Sequence, residues 1–527
     1  KLMRNLTMKK SRFAAIAVAA SLVTMSVVAI APAAHASSSC EAKQSGSLIV
    51  EVCSGKTSDG ANYEYRTNTE NFNGTVYLWS HGYRYAVNLP AGVVGATPYI
   101  VDMSAEVGPA PDVIESLLAA GYAVAGSSFA TQGWTVGSAV KTNVELIGIL
   151  KSEIPDTKGV IAWGASMGGF ITQALAERFP KLIKSAAPIC TAAGNVSSEL
   201  TYAGDLLWGL KTFFDPSITV SGYADGPAGV GQAAQNLGKV AAVLRHISGT
   251  LTETDISKTW PATSPMPATI KAIPARSALT LVGLMAGVPT QSQHFDGSSF
   301  PGVETAFALA LAPALGIAEN AGYAAGLGIF ATLDLERRVG GAFYDNTATD
   351  YAKRIADERA SFNVALSGNS AIDGMLAILS SPYGKRIAAT DQGLNGLKAQ
   401  VAHKGKALVP TITMTGTADM ITPAGNSQWL TNKNLKNTKK FLPLWVVTAD
   451  KWTKFLPTGS PDTSSTAWPS GTGHCQFSYD QTMTVAKLAA AAAKTGSVPS
   501  NASVEKTVAK VDGLLFDRQF SMPLPNT

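Results

Sequence analysis

Patterns typical of buried strands alternate with helical patterns along the first part of the chain. The strand patterns, rich in β-branched and aromatic residues, lie at 48–52, 62–66, 75–79, 122–125, 160–163 and 182–189. The helical patterns lie at 111–118, 136–154 and 170–179. Strands and helices that alternate at this spacing are joined by right-handed crossovers. We therefore predict a mainly parallel, doubly wound α/β sheet with helices on both faces.

The alternation lapses in the middle of the chain and then resumes. Strand patterns return at 409–414 and 444–447, and a helical pattern follows at 481–493. We therefore predict that residues 37–195 and 408–527 together form one sheet domain.

The intervening residues, 196–407, are predicted to form a large, mostly helical cap inserted into that domain. Two apolar runs stand out within it, at 279–288 and at 307–317, and Pro313 interrupts the second. Both are too short to span a bilayer and suit a buried or interfacial helix better.

The first 36 residues resemble an export signal. Residues 9–12 are mostly basic, residues 13–32 are mainly apolar, and Ala34-His35-Ala36 has the small-x-small pattern that a signal peptidase accepts. We predict cleavage after this tripeptide, with Met8 as the natural start and the residues before it as an upstream extension. An uncleaved anchor is the alternative, because the apolar stretch approaches the ~20 residues that span a bilayer. The prediction is a secreted protein with no stable membrane anchor after cleavage.

The composition excludes some partners. Only 15% of the residues are charged, against an average of about 25%. The net charge is +5, and the Lys and Arg residues are dispersed rather than gathered into a basic stripe with aromatic residues. Nucleic acid is therefore not an expected partner.

The strongest chemical signal is the segment Gly164-Ala165-Ser166-Met167-Gly168-Gly169. It directly follows the strand pattern at 160–163 and opens the helical pattern at 170. A sharp strand-to-helix turn lifts a serine hydroxyl out of a sheet, and the flanking Gly164 and Gly168 relieve crowding there. The helix N-terminus adds partial positive charge beside a developing oxyanion. An incidental serine in a glycine-rich turn is the alternative interpretation.

With this strand-to-helix turn at 164–169, here called the elbow, the chain resembles the α/β-hydrolase superfamily, and in particular its secreted esterase and lipase-like branch. The resemblance covers the two sheet segments, about half of the chain, and the insertion has no identifiable counterpart. It implies the α/β-hydrolase fold, no metal and no organic cofactor. It also implies the chain order nucleophile, acid, histidine.

Both remaining members of such a triad have candidates. Asp419 follows the strand pattern at 409–414 in Gly-Thr-Ala-Asp, and the resemblance makes it the acid, with Asp450 and Asp462 in reserve. His474 follows Gly-Thr-Gly before the last helical pattern, in the position of the family's histidine. A turn aspartate and a merely packed histidine are the alternative interpretations.

An oxyanion hole needs two backbone N–H groups. The resemblance assigns one to Met167, which follows the nucleophile. The other is expected from Ser80-His81-Gly82-Tyr83, which resembles the His-Gly loop of many esterases and lipases. Tyr83 is the predicted donor, and Gly82 is the alternative.

The chain has four cysteines, at spacings that match no zinc signature. Three pairings are possible, and the sequence alone does not choose among them. The placement implied by the resemblance favours Cys40–Cys53 and Cys190–Cys475. The second disulfide would hold the histidine loop over the site, because Cys475 directly follows the histidine. Two buried free cysteines are the alternative at that position.

Together these features predict hydrolysis of a carboxylic ester through an acyl-enzyme, and the expected substrate is an apolar ester, small or polymeric. Most of the cap's apolar surface is expected to be core, but part of it could line an acyl or alcohol pocket. A serine peptidase of the same fold is the first rival, although such peptidases more often carry a bulky aromatic residue where this chain has Met167. A non-catalytic binding protein is the second rival, and the intact triad argues against it.

Overall fold

The computed structural model describes residues 38–192, 196–297, 310–400 and 402–523. The predicted signal peptide and residues 307–309 of the second apolar run lie outside the described residues.

The strands form one mixed sheet. Their bounds are β1 Ser39–Ser45, β2 Leu48–Lys56, β3 Asn62–Thr67, β4 Thr75–Ser80, β5 Ala123–Ser127, β6 Gly159–Ala165, β7 Ser185–Ile189, β8 Thr411–Gly416, β9 Phe441–Val446 and β10 Leu514–Leu515. The order across the sheet is β1-β2-β3-β5-β4-β6-β7-β8-β9-β10. The central pairings, from β5 through β4 to β9, are parallel, and the pairings at both edges are antiparallel. The predicted mainly parallel α/β sheet is confirmed.

The helices fall into three groups along the chain. Before the insertion lie α1 Pro111–Ala119, α2 Val136–Glu153 and α3 Met167–Arg178. The middle of the chain contains α4 Val196–Phe213, α5 Gly226–Gly249, α6 Ala268–Lys271, α7 Ala275–Ala286, α8 Ala312–Val339, α9 Tyr351–Arg354, α10 Glu358–Ser361, α11 Asn369–Leu379 and α12 Asp391–Ala399. After it lie α13 Ala424–Asn434, α14 Tyr479–Thr495 and α15 Asn501–Val508.

Both faces of the sheet are buried. In β4, Val76 and Leu78 belong to an apolar core with α2 and α3, whereas Tyr77 and Trp79 belong to another core with α1 and α14. This alternation is the two-residue period of a strand, and burial on both faces explains its continuous apolar sequence.

The helices of the insertion have a core of their own. Leu207, Val240, Leu279 and Ile329, from α4, α5, α7 and α8, are all buried in one cluster. The expected interruption at Pro313 is wrong, because this proline lies in the first turn of the 28-residue α8. A proline is tolerated there since the first N–H groups of a helix have no intrahelical acceptor.

Some element bounds differ from the prediction. The strand β1 was not predicted, since its sequence, SCEAKQS, is polar and mostly exposed. It pairs with β2 in a register that places Cys40 opposite Cys53, and a disulfide joins the two residues. The helix α3 begins at Met167 rather than residue 170, and β7 begins at Ser185 rather than residue 182.

Within the ranges that the structure describes, no helix combines the length and the apolar character needed to cross a bilayer.

Candidate active site

Ser166 lies at the turn between β6 and α3. Its backbone has φ 59° and ψ −125°, in the region of positive φ that residues with side chains rarely adopt. A Cβ atom on Gly168 would lie 1.9 Å from the Ser80 carbonyl oxygen, and one on Gly164 would lie 2.6 Å from the same atom. Only glycine fits at these two positions without a shift of the backbone. The turn therefore places Ser166 at the carboxyl edge of the sheet, beside the positive end of a helix.

The loop after β4 lies against this turn. A Cβ atom on Gly82 would lie 3.4 Å from the Ser166 Cβ. Buried His81 contacts the loop on two sides, with Nδ1 2.7 Å from the Gly82 carbonyl oxygen and Nε2 3.1 Å from that of Ser128. Burial, assisted by the charge of Arg84, lowers the pKa of His81. The imidazole therefore supports the loop from both sides.

Three backbone N–H groups near Ser166 have no protein acceptor. In the described part of the chain, Met167, Gly82 and Tyr83 donate no backbone hydrogen bond. Met167 is the first residue of α3, where a helix leaves its N–H groups unsatisfied. These groups are free to build an oxyanion hole from Met167 with either Tyr83 or Gly82.

Asp419 and His474 are in direct contact. Asp419 follows β8 and is 1% exposed. His474 Nδ1 lies 3.0 Å from each of its carboxylate oxygens. The backbone N–H groups of Ile421 and Thr422 donate to the same carboxylate at 2.8 and 2.9 Å. A carboxylate fixed in this way orients an imidazole and selects its tautomer.

A disulfide joins Cys190 to Cys475, the residue after His474. The backbone N–H of Cys475 donates to the Asp419 carboxylate at 3.3 Å. The Thr422 hydroxyl donates to the Cys190 carbonyl oxygen at 2.9 Å. The disulfide therefore lies within the acid and histidine loops.

The other end of the same disulfide adjoins the elbow. The Ser166 N–H donates to the Ile189 carbonyl oxygen at 3.1 Å, and the Ala192 N–H donates to the Ser166 carbonyl oxygen at 3.4 Å. Cys190 lies between these two residues. The disulfide thus links the loop that carries His474 to a segment that is hydrogen-bonded to the turn of Ser166.

Among the described residues, no hydrogen bond joins the Ser166 hydroxyl to the His474 imidazole. Catalytic hydrogen bonds are often long in a free enzyme and tighten only around substrate. The structure therefore brings together Asp419 and His474, and places Ser166 nearby without the final contact.

Unusual backbone conformations gather at this site. In the described residues, Ser166, Cys190 and Cys475 have φ values of 59°, 38° and 56°. Phe129, with φ 56°, stacks on His81 at a ring distance of 4.2 Å. Each such residue costs about 1–3 kcal/mol and persists only where its surroundings enforce it.

A cavity of about 50 Å³ borders Ser166. From the sheet loops it is lined by Tyr83, Trp134, Met167, Ala192, Ile421 and Thr422. From α4 and α8 it is lined by Tyr202, Ala203, Ala324, Leu327, Gly328 and Ala331. The cavity therefore lies between the predicted nucleophile and the inserted helices.

Hydrogen bonds join α8 to loops of the sheet domain beside this cavity. The Asp334 carboxylate accepts the backbone N–H of Trp134 at 2.7 Å and pairs with Arg338 at 2.9 Å. The Tyr83 hydroxyl donates to the Phe330 carbonyl oxygen at 3.4 Å. These contacts hold the long helix against the loop that carries the predicted oxyanion donor.

A second contact fastens the insertion to the long loop that precedes His474. The Asp296 carboxylate accepts the backbone N–H of Thr453 at 3.1 Å. His294 pairs with Glu319, and its Nε2 lies 2.8 Å from the Ser465 carbonyl oxygen. Burial alone lowers the pKa of His294, but the contacts with Glu319 and Ser465 outweigh it, so the pKa is raised.

The reserve acids lie elsewhere. Asp450 is exposed and Asp462 is half-buried, and Asp462 accepts the backbone N–H of Ser464 at 3.0 Å. Among the described residues, Asp419 is the carboxylate that contacts His474.

Sequence analysis did not identify the cavity residues of α4 and α8. One signal was available, because four of the five residues from 324 to 328 are alanine or glycine, and small residues let helices approach closely. A Cβ atom on Gly328 would lie 2.6 Å from the Ala203 Cβ, so the two helices meet at this point.

The strand order, the elbow after β6 and the loops after β4 and β8 define an α/β-hydrolase fold. No family model matches the chain, and no curated protein matches it. The fold assignment rests on the topology and the elbow.

Solved structures of similar proteins include enzymes from fungi and bacteria. An esterase from Aspergillus oryzae is 11% identical, with 75% of this chain and 72% of that chain covered and a TM-score of 0.34. Feruloyl esterase B from Aspergillus oryzae is 11% identical, with 88% and 82% covered and a TM-score of 0.33. A hydrolase from Pseudomonas aeruginosa PA01 is 14% identical, with 80% and 91% covered and a TM-score of 0.25.

Proposed function

We propose that this protein is a secreted serine hydrolase that cleaves carboxylic esters through an acyl-enzyme. One observation carries the proposal: a disulfide joins the loop of the Asp419–His474 pair to the segment after β7, which is hydrogen-bonded to the turn that presents Ser166. This arrangement gathers an orienting carboxylate, a base and a hydroxyl at one edge of the sheet.

In the proposed reaction, Ser166 Oγ attacks the ester carbonyl carbon while His474 Nε2 takes its proton. The backbone N–H groups of Met167 and Tyr83, or Gly82, stabilise the oxyanion of the tetrahedral intermediate. The intermediate collapses, the alkoxy group leaves with the proton from His474, and the acyl group remains on the serine. Water then attacks in the same way and releases the acid. Asp419 stays ionised and orients the imidazole throughout.

Among the described residues, Ser166 and His474 are not hydrogen-bonded to each other. We expect this contact to form when substrate binds, as in many hydrolases. The contacts of His474 and of the Cys475 N–H with the Asp419 carboxylate argue that the histidine loop itself is already in place.

The decisive test combines labelling with turnover. We expect a fluorophosphonate probe to modify Ser166 of the exported protein, and p-nitrophenyl acetate to be hydrolysed. Ser166→Ala should abolish both, whereas Ser47→Ala, a matched change at an exposed turn, should alter neither. A wild-type protein that neither reacts with the probe nor turns over any ester would contradict the proposal and favour a binding protein.

The same assay separates ester from peptide cleavage. We expect p-nitrophenyl esters to be cleaved much faster than p-nitroanilides of the same acyl group. Faster cleavage of the anilides would replace the proposed esterase with a peptidase that uses the same residues.

Export is part of the proposal. Two disulfides support an oxidising destination. N-terminal sequencing of the protein from the culture medium should begin at Ser37. A mature chain that retains residues 13–32 would contradict cleavage.

A further inference from the structure

We infer that the acyl half of the substrate is short and apolar, and that small residues of α4 and α8 set its length. This inference rests on the proposed function and names the substrate class of the same site. It is carried by the cavity beside Ser166, by its lining and by the position of His474 outside it.

The volume of the cavity limits the occupant. The space is about 50 Å³. On the same measure, one water molecule needs about 10–15 Å³. The cavity therefore accommodates roughly three to five heavy atoms, which corresponds to an acetyl to butyryl chain.

The lining also limits the chemistry of the occupant. The hydroxyl groups that border the cavity are already engaged: Tyr83 donates to Phe330 O, Tyr202 donates to Met420 O at 2.6 Å, and Thr422 donates to Cys190 O at 2.9 Å.

The Trp134 indole N–H has no partner, but this atom is itself buried and does not border open space. Among the described lining residues, the remaining surface is mainly alanine, glycine and aliphatic side chains, and the reactive Ser166 hydroxyl is the exception. A charge or hydroxyl on the occupant would lose water without gaining a partner. The cavity therefore selects an unsubstituted apolar group.

The position of His474 shows which half of the ester enters the cavity. The histidine gives its proton to the leaving alcohol, so the alcohol must lie on the histidine side of Ser166. His474 does not border the cavity, and its side chain is 23% exposed. The alcohol therefore lies on the exposed His474 side, and the cavity beside Met167 and Tyr83 receives the acyl chain.

Two helices close the far side of this pocket. They approach most closely where Gly328 meets Ala203, so the separation of the helices is fixed by these small residues. Leu327 is the largest aliphatic side chain that α8 contributes, and Ala324 lies one turn before Gly328. These side chains determine how many carbons fit.

The first experiment varies one half of the ester at a time. For p-nitrophenyl esters we expect kcat/KM to be highest at acetate to butyrate and to fall at least about 30-fold at octanoate, because added methylenes overfill the pocket. For acetates of phenol, 1-naphthol and 4-phenylphenol, whose leaving groups are similar in reactivity, the change should stay within about tenfold.

The second experiment resizes the pocket. Leu327→Ala should move the preferred chain length upward by one or two carbons, and Ala324→Val should move it downward. Leu284→Ala on α7, which removes the same atoms from a residue that does not line the cavity, should leave the preference unchanged. Fluorophosphonate labelling of each variant reports whether its site is folded.

The outcomes separate the two proposals. If wild-type protein prefers octanoate, or discriminates alcohols more sharply than acyl chains, the short-acyl inference is overturned while the serine hydrolase remains. If the variants fail to fold, the wild-type series alone decides. If no ester is cleaved and no probe is incorporated, the proposed function itself fails.

Discussion

The two disulfides join chain segments of very different kinds. Cys40–Cys53 links residues 13 apart that already face each other in the hairpin of β1 and β2. Cys190–Cys475 links residues 285 apart, from the end of β7 to the loop that carries His474. The first disulfide reinforces a local pairing, whereas the second brings together two distant parts of the chain at the candidate site.

The backbone conformations of the two cysteine pairs also differ. Cys40 and Cys53 lie in ordinary extended strands, whereas Cys190 and Cys475 both have positive φ. The site disulfide is therefore formed against local backbone preference, as is common at functional sites. We therefore expect the first disulfide to contribute stability alone and the second to position the histidine loop as well.

The largest expected effect comes from the double variant Cys190→Ser with Cys475→Ser. For a closed loop of 285 residues, the chain-entropy relation gives a loss of about 5.6 kcal/mol in the free energy of unfolding. The kcat for ester hydrolysis should also fall, because the histidine loop loses its covalent tether. Urea unfolding and p-nitrophenyl acetate kinetics measure the two effects, and a wild-type kcat would break the distinction between the disulfides.

We expect acid to lower the free energy of unfolding through His403, which packs against the helix that follows Ser166. This ring lies 4.4 Å from the Phe170 ring of α3, and burial lowers its pKa to about 4. A histidine in the unfolded chain has a pKa of about 6.5, so the unfolded state binds the proton first as the pH falls. Above about pH 6.5, His403 is neutral in both states and the free energy of unfolding is not reduced. As the pH falls from there towards 4, the free energy of unfolding decreases by about 3 kcal/mol.

Urea unfolding at pH 7 and at pH 4.5 measures this loss. His403→Phe should reduce the difference between the two pH values, whatever its effect at pH 7, and His246→Gln serves as the control. An unchanged difference in His403→Phe would show that other groups make the molecule sensitive to acid.

A smaller effect is expected from Cys40→Ser with Cys53→Ser. The same relation gives about 2.9 kcal/mol for a separation of 13 residues. Because β1 is an edge strand that pairs only with β2, kcat should remain at the wild-type value. A clear drop in kcat, measured beside the first double variant, would mean that the edge hairpin also shapes the site.

The smallest expected effect is a difference in stability between glycine and serine substitutions at the two cysteine pairs. The sign of this difference tests whether positive φ is costly at Cys190 and Cys475. Glycine adopts positive φ without the steric cost that serine bears, so Cys190→Gly with Cys475→Gly should be more stable than the serine pair by about 1 kcal/mol. In β1 and β2, glycine should be less stable than serine by about 1 kcal/mol, because it weakens a strand. Equal signs in the two pairs, measured by thermal unfolding, would refute the claim.

The parts of this molecule that could be predicted are those that local physics determines. The strands near Val76 and Val160 carry continuous apolar sequence because both faces of the sheet are buried. The elbow was predictable because a serine between glycines at a strand–helix junction has one favourable geometry. The acid and histidine were assigned by resemblance, and the structure places Asp419 and His474 in contact.

The remainder depends on contacts that no local pattern records. The strand β1 is polar, and it becomes a strand only because β2 supplies a partner and Cys53 a covalent bond. The helix α8 was missed as one element, since Pro313 looks like an interruption until its place in the first turn is known. The pocket residues are mostly small and apolar, so their role depends on which helix face meets Ser166.

The 285-residue separation of Cys190 and Cys475 also has a consequence for the order of events in biosynthesis. Ribosomes add about 5–20 residues per second, so the second cysteine emerges roughly 14 to 57 s after the first. During that interval the elbow can fold, but its partner loop does not yet exist. The protein is therefore expected to be inert until the histidine loop has been synthesised, and to reach full activity only once this late disulfide has formed.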